Sequence, residues 1–288
     1  MKILITGITG FLGSHLAEVL LSKGHLITGI IREESNLTNV ASIKNELDLT
    51  LWSEIENKNI SIDTIINVAT DYGRDKNFSD LLNINLIWPL KILDKFSRLN
   101  PKISFINTDT FFNKGTRSYA YLGNYTHSKH LLELALKTYT EQVIINLKLE
   151  HIYGPRDGQN KFIPAMIKKI VNGVKEIDLT DGLQKRDFTY VKDVCSAYAI
   201  ILENLERFSC GLNNLEVGTS SSHSIRDLMN LILKKIPDSN TKLNWGALPK
   251  RNGEFDESRA DIKKLLELGW KPQYTLEQGI IETIKYYN

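Results

Sequence analysis

Cysteine is almost absent: Cys195 and Cys210 are the only two in 288 residues, too few for a disulfide framework. Neither has metal-ligand spacing to a histidine, so the pattern points to a reducing compartment and offers no metal centre. An excess of charge of one sign is also missing. The 36 basic and 34 acidic side chains are mixed along the chain and leave +2, which excludes a field strong enough to imply nucleic acid or a membrane surface as partner. No apolar run approaches the roughly 20 residues needed to span a bilayer, and the first residues are strand-like ILIT rather than a signal-peptide pattern. A cytoplasmic protein is expected. No internal repeat, linker or low-complexity segment divides the sequence.

A hydrophobic content of 42% is enough to bury a large core. The apolar pattern alternates between strand and helix. Strands are expected at Lys2–Thr6, Leu26–Ile31, Thr64–Val68, Ile103–Asn107 and Val143–Lys148, and helices at Ser14–Ser22, Asp80–Arg98 and Asn124–Glu141. That alternation predicts an α/β fold, a doubly wound parallel sheet. Beyond Gly154-Pro155 it becomes irregular, with helices expected near Ile163–Asn172, Lys192–Asn204 and Leu276–Tyr287. The reading is a dinucleotide-binding Rossmann domain over 1–152 and a smaller α/β substrate domain over 153–288, with segments near 186–220 returning to the first. The chemistry is expected in the cleft between them.

The opening MKILITGITGFLG runs a buried strand into a turn with Gly7, Gly10 and Gly13. Glycines there allow a tight turn and close approach of backbone to a pyrophosphate, which then meets the amides of the next helix. Phe11 and Leu12 fall inside the same turn, and Val68 and Ala69 end a neighbouring strand on the cofactor side. Where NAD-binding chains usually place an acid for the ribose hydroxyls, this sequence has Ile31 followed by Arg32, which favours NADPH, with NAD as the other candidate. The alternative for Arg32 is a solvated side chain opening a loop. Asp48-Leu49 stands where a third strand could end and contact adenine, or else is a polar loop entry.

Tyr125 and Lys129 lie four residues apart, so on a helix a phenol and an ammonium share one face. A phenol has a reference pKa of ~10, and a nearby ammonium favours its phenolate. Upstream, the strand ISFIN ends in Thr108, Asp109 and Thr110, bringing a hydroxyl to the carboxyl end of a strand. Thr108 is the expected hydrogen-bond donor to a substrate oxygen.

Over nearly its whole length the chain resembles the extended short-chain dehydrogenase/reductase group that modifies nucleotide-sugars. The motifs carrying this resemblance are Thr6-Gly7 to Gly13, Tyr125 to Lys129, Tyr153-Gly154-Pro155, the run Arg186 to Asp193, and Leu268-Gly269-Trp270-Lys271-Pro272. The resemblance implies that Arg186 and Arg251 grip a diphosphate, that Phe162 to Pro164 line a nucleotide pocket, and that Asn85 is structural support. It also implies that the helices at Asp80–Arg98 and Asn124–Glu141 pair into a homodimer. Asp193 is read as a cap or packing residue rather than a substrate contact, and Tyr72, Arg74 and His151 as candidate hexose contacts beside Asp109 and Thr110.

The same tyrosine and lysine serve epimerases, 4,6-dehydratases and 4-ketoreductases in this group. Dehydratases usually follow the hydroxyl residue with two acids or an acid and a lysine, whereas here Asp109 is followed by Thr110. With Arg32, this favours reduction. LKLEHIYG, DGLQKRDFTYVKD and IINVATDYGR resemble the subgroup of CDP-abequose and CDP-paratose synthases, which implies reduction of a 4-keto group on a CDP- or dTDP-linked deoxyhexose. Lys148 and His151 share that subgroup's departure from the commoner Arg and Asn. The rival readings are an epimerase or dehydratase with tightly held NAD, and a noncatalytic nucleotide sensor, which would require decay of Thr108, Tyr125 and Lys129.

Overall fold

A computed structural model describes residues 1–74, 76–115, 122–237, 239–251 and 253–288. The chain runs β1 (Lys2–Thr6), α1 (Phe11–Ser22), β2 (Leu26–Ile31), β3 (Leu47–Leu51), α2 (Trp52–Ile55), β4 (Thr64–Asn67), α3 (Phe78–Leu82) and α4 (Trp88–Leu99). Then follow β5 (Ser104–Thr110), α5 (Gly123–Leu136), β6 (Val143–Leu149), β7 (His151–Tyr153), α6 (Phe162–Val171), β8 (Glu176–Leu179), β9 (Lys185–Arg186) and β10 (Phe188–Tyr190). The last elements are α7 (Val191–Glu203), β11 (Gly211–Val217), β12 (His223–Ser224), α8 (Ile225–Lys235), β13 (Lys242–Trp245), β14 (Glu257–Ser258), α9 (Lys263–Glu267) and α10 (Leu276–Tyr287).

Seven strands form one parallel sheet in the order β11-β6-β5-β4-β1-β2-β3. The expected doubly wound Rossmann architecture is therefore present. Strands buried on both faces have to be apolar throughout, which is why ILIT, TII and FI read as continuous runs. Leu16, Leu20, Val194, Tyr198 and Ile201 of α1 and α7 cover one face; Ile92, Phe96, Leu132 and Leu136 of α4 and α5 cover the other. Each such side chain contributes about 1.5–3 kcal/mol of burial. The helices α6, α8 and α10 share a core with α1 and α7 through Ile167, Leu228, Ile232 and Ile280. Strand order reverses between β1 and β4, which opens the crevice at their carboxyl ends.

Three elements differ from the expectation. The helix expected over Asp80–Arg98 is interrupted by a π-turn at Asn83–Ile87. Pro89 has no amide to offer the carbonyl four residues back, and the wider turn relieves that clash. The helix expected to reach Glu141 ends at Leu136, where the Thr138 hydroxyl binds the Ala135 carbonyl. Strand β5 continues past Asn107 to Thr110. Among the described residues no helix is long and apolar enough to cross a membrane.

Candidate active site

The crevice is a cavity of about 710 Å³ running from the β1–α1 turn, past the start of α5, to Arg186 and Arg251. Its first part is built by Gly7, Gly10, Phe11, Leu12 and Gly13 with Val68 and Ala69 opposite. Gly7 has φ +66°, and a Cβ there would sit 2.8 Å from the Ala69 backbone; a Cβ on Gly13 would lie 2.2 Å from the Gly7 carbonyl. The Gly7 carbonyl accepts the Gly10 amide at 3.0 Å, and the Thr6 hydroxyl accepts the Val68 and Ala69 amides at 3.1 Å. This leaves a backbone cradle at the amino end of α1 that fits a pyrophosphate.

Arg32 lines the same cavity at the end of β2, next to Ser35, with its Nε 3.4 Å from Glu34. Both partners are well exposed, so this ion pair is weak competition for an incoming anion. Asp48 and Leu49 are not in the cavity. They pair with Thr28 and Gly29 in the first half of β3, whereas ligands gather at carboxyl ends. The Asp48 carboxylate instead takes Lys58 at 3.2 Å, and Leu49 packs on the core. The strand end carries Trp52, stacked on Trp88 with centroids 4.6 Å apart, and both line the cavity. The sequence reading missed this pair because it placed the end of β3 too early.

Tyr125 and Lys129 project from the first two turns of α5 into the middle of the cavity, 6% and 1% exposed. Asn85, inside the π-turn, ties this helix to the loop after β4. Its amide donates to the Ser128 hydroxyl at 2.9 Å and to the Asp71 carbonyl at 2.8 Å, and its oxygen takes the Asp71 amide. Tyr72 on that loop lies 4.9 Å from the Tyr125 ring, and Lys161, at the amino end of α6, sits 3.4 Å over the Tyr72 ring.

Thr108, expected to donate to a substrate oxygen, lines the cavity but its hydroxyl has a partner within the protein. Thr108 turns its Oγ1 to the buried Tyr198 hydroxyl on α7, 2.7 Å away, and offers the cavity only its carbonyl, which accepts Lys129 Nζ at 2.8 Å. The Thr110 and Thr70 hydroxyls are the ones that act on the Tyr125 phenol, each lowering its pKa against the effect of burial. The sequence missed this because β5 runs three residues further than its apolar stretch.

Asp109 is 3% exposed and accepts from Thr110 N, Asn113 Nδ2 and Asn146 Nδ2 at 2.8, 2.9 and 2.8 Å. Burial, with Tyr72 and the Asp109 charge adding to it, holds the Tyr125 phenol well above its ordinary pKa. Burial pushes Lys129 down to about 8, opposed by Asp109. Burial is the largest influence on the phenol and favours its protonated form.

At the far end, Phe111, Phe112, His151 and Phe255 form an aromatic wall, with Phe111 4.1 Å from Phe112 and 4.3 Å from His151. Burial lowers the His151 pKa, which leaves a neutral imidazole. Arg186 lines the cavity while donating to Glu254 at 2.8 Å and to the carbonyls of Lys185 and Phe255. Arg74, Phe162 and Arg251 also line it. Lys148 is outside, paired with Glu133 at 3.2 Å. Asp193 holds the Gln273 and Tyr274 amides, and Trp270 donates to Ser196, so those motif residues bind the C-terminal segment to α7.

The model of the NAD dependent epimerase/dehydratase family matches residues 3–213. The chain is 38% identical to a CDP-abequose synthase of Salmonella muenchen over 97% of its length and 95% of that protein's. It is 35% identical to the CDP-abequose synthase of Salmonella typhimurium, covering 98% and 97%. Among solved structures, the UDP-glucose 4-epimerase of Thermotoga maritima with UDP-glucose superposes with a TM-score of 0.81 at 21% identity, covering 100% of this chain and 98% of that one. The dTDP-glucose 4,6-dehydratase of Bacillus anthracis in complex with NAD gives 0.81 at 22%, covering 100% and 96%. A family match over most of the sequence, on a fold that places a glycine cradle beside a tyrosine and a lysine, leads to one conclusion: the chain belongs to the NAD dependent epimerase/dehydratase family.

Proposed function

We propose that this protein reduces the C4 keto group of a nucleotide-linked 4-keto-6-deoxyhexose, of the CDP-linked 3,6-dideoxy type, using NADPH. The observation that carries the reading is Tyr125, buried in the middle of a cavity with an anion cradle at each end, where burial raises its pKa and favours the protonated phenol. A phenol that keeps its proton is an acid, which reduction needs; oxidation of an alcohol needs the phenolate.

The residues that would hold the dinucleotide are the Gly10, Phe11 and Leu12 backbone, Arg32 and Ser35 beside a 2′-phosphate, Trp52, Val68 and Ala69, and Lys129. When bound, it supplies the hydride delivered to C4. Tyr125 gives its proton to the oxygen that becomes the C4 hydroxyl, and Thr110 hydrogen-bonds the same oxygen. Lys129, fixed by the Thr108 carbonyl, would hold a ribose hydroxyl of the dinucleotide with its remaining N–H groups. Arg186 and Arg251 take the sugar-nucleotide diphosphate, Phe162 the base, and Tyr72, Arg74 and His151 face the hexose beside the aromatic wall.

The CDP-abequose synthase relatives favour CDP as nucleotide; in this reading the protein is a cytoplasmic enzyme that supplies deoxysugar for a surface polysaccharide. A homodimer through the α4 and α5 face fits the exposed Ile87, Leu131 and Leu134. The test against the rival epimerase or dehydratase is the purified protein itself. Released cofactor below stoichiometry, and no conversion of CDP- or dTDP-hexoses without added reductant, is expected; tightly held NAD with turnover in the absence of added reductant refutes reduction.

A further inference from the structure

A line of side chains crosses the sheet in direct register: Thr6 beside Asn67, Asn67 beside Asn107, Asn107 beside Asn146, and Asn146 beside Asn214. Two residues earlier on the same face stand Leu4, Ile65, Phe105 and Ile144, the apolar layer under α4 and α5. Two residues later on β5 stands Asp109. The asparagines thus form the layer between the hydrophobic core and the acid/base residues.

Their hydrogen bonds all run one way. The Thr6 hydroxyl donates to Asn67 Oδ1 at 2.8 Å, Asn67 Nδ2 to Asn107 Oδ1 at 2.9 Å, and Asn107 Nδ2 to Asn146 Oδ1 at 2.7 Å. Asn146 Nδ2 then donates to Asp109 Oδ2 at 2.8 Å and to Asn214 Oδ1 at 2.9 Å. Asn67, Asn107 and Asn146 are at most 1% exposed. Positions buried inside a parallel sheet are ordinarily Val, Ile or Leu, and three amides there are tolerable only as a completed network. A scaffold alone does not call for them.

We propose that the asparagine line is a positioning device: it fixes Asp109 as an oriented anion between Lys129 and Tyr125, and so keeps that pair in its proton-donating form. The inference deepens the ketoreductase reading and rests on it for its purpose. Burial raises the Asp109 pKa, and Asn146, Lys129 and the Thr110 amide oppose that; among the described residues its hydrogen-bond partners are all donors, the Thr110 amide and Asn113 at Oδ1 and Asn146 at Oδ2, which suits a carboxylate and leaves a carboxylic proton no partner among these contacts. Facing it from α5 are Tyr125, Lys129 and Glu133, and from β6 comes Lys148, which neutralises Glu133. An anion at Asp109 opposes ionisation of Tyr125 and retains the proton on Lys129. Asn107 and Asn146 are positioning residues, since neither lines the cavity.

The test follows the Tyr125 ring carbon bearing the hydroxyl by ¹³C NMR through an alkaline titration, the resonance assigned with Tyr125→Phe, and thermal unfolding measured alongside. In the wild type it stays phenolic where exposed tyrosines ionise. In Asp109→Asn the midpoint falls by about one unit or more; in Asn146→Leu it falls less, in Asn107→Leu less again, and in the exposed Asn214→Ala it does not move. A purely structural line would lower the melting temperatures without ordering the midpoints in this way. Wild-type behaviour in Asp109→Asn, or in a folded Asn146→Leu, overturns the proposal, as does the absence of an inflection in every variant. Should Asn146→Leu fail to fold, Asp109→Asn and Asn107→Leu decide. No substrate is present, so a failure of ketoreduction in a separate assay would remove the functional reading without altering this result.

Discussion

Replacing Gly13 with alanine should uncouple the dinucleotide cradle from an otherwise intact fold. The added Cβ would lie 2.2 Å from the Gly7 carbonyl oxygen and 2.8 Å from both its carbon and Ile8 Cα. All three are backbone atoms, so nothing can rotate away; either the Gly7–Ile8 turn or the start of α1 must shift by about 1 Å to restore van der Waals contact. Overpacking of this kind costs about 1–3 kcal/mol, a fall of several degrees in Tm. The moved segment carries the Gly7 carbonyl that accepts Gly10 N, so the amides aimed at the pyrophosphate move with it. Losing one charge-assisted hydrogen bond of about 1.5–3 kcal/mol weakens NADPH binding about tenfold to a hundredfold. A fluorescence titration with NADPH, beside thermal unfolding of the free protein, measures both. Gly123→Ala is the control: a Cβ there meets nothing within 4 Å, and neither stability nor affinity should fall. A Gly13→Ala protein that binds NADPH as the wild type does would refute the cradle.

Arg32→Ala should weaken NADPH about tenfold or more and leave NADH unchanged, read as the ratio of the two dissociation constants. Tyr125→Phe should lower kcat by 10²–10⁴, on the order of what a lost general acid costs, with NADPH affinity and Tm preserved. Thr110→Val and Thr108→Val should separate the two hydroxyls. Thr110→Val loses rate together with the turn cap its hydroxyl gives the Phe112 amide, about 1 kcal/mol of stability, whereas Thr108→Val strands the buried Tyr198 hydroxyl and loses about 1–3 kcal/mol of stability with the rate kept. Burial raises the Asp157 carboxyl from 3.8 to about 6, so its protonated form favours the fold below pH 4 and that contribution disappears as pH rises through 6. Urea unfolding of Asp157→Asn should therefore match the wild type near pH 4 and exceed it above pH 6, by at most about 3 kcal/mol.

Much of this was legible in the sequence because local rules and the global fold agree where the chain is apolar. ILIT, TII and VII could only be buried parallel strands, and a glycine-rich turn between a strand and a helix has few other uses. Boundaries were harder, and the errors at the site follow from them. Polar residues at the carboxyl end of β5 hid three further positions of strand, which turn the Thr108 hydroxyl to Tyr198 and bring Thr110 beside Tyr125. The same misjudgement at β3 pointed to Asp48 and Leu49 when the cavity is closed by Trp52 and Trp88. Each asparagine of the polar line stands near the end of an apolar run, a visible signal, but only pairing register shows that they touch. Lys161 over Tyr72 is a contact between segments far apart in sequence that no spacing announces.

Oxidation of NADPH by a CDP-linked 4-keto-3,6-dideoxyhexose, followed by loss of the reduced-nicotinamide absorbance with NADH and the dTDP-linked 4-keto-6-deoxyhexose in parallel, tests the central claim most directly. One equivalent of NADPH consumed per C4 alcohol formed, faster than with NADH and abolished by Tyr125→Phe, is the expected result. An unchanged keto-sugar in the presence of NADPH, or its conversion without any reductant, contradicts it.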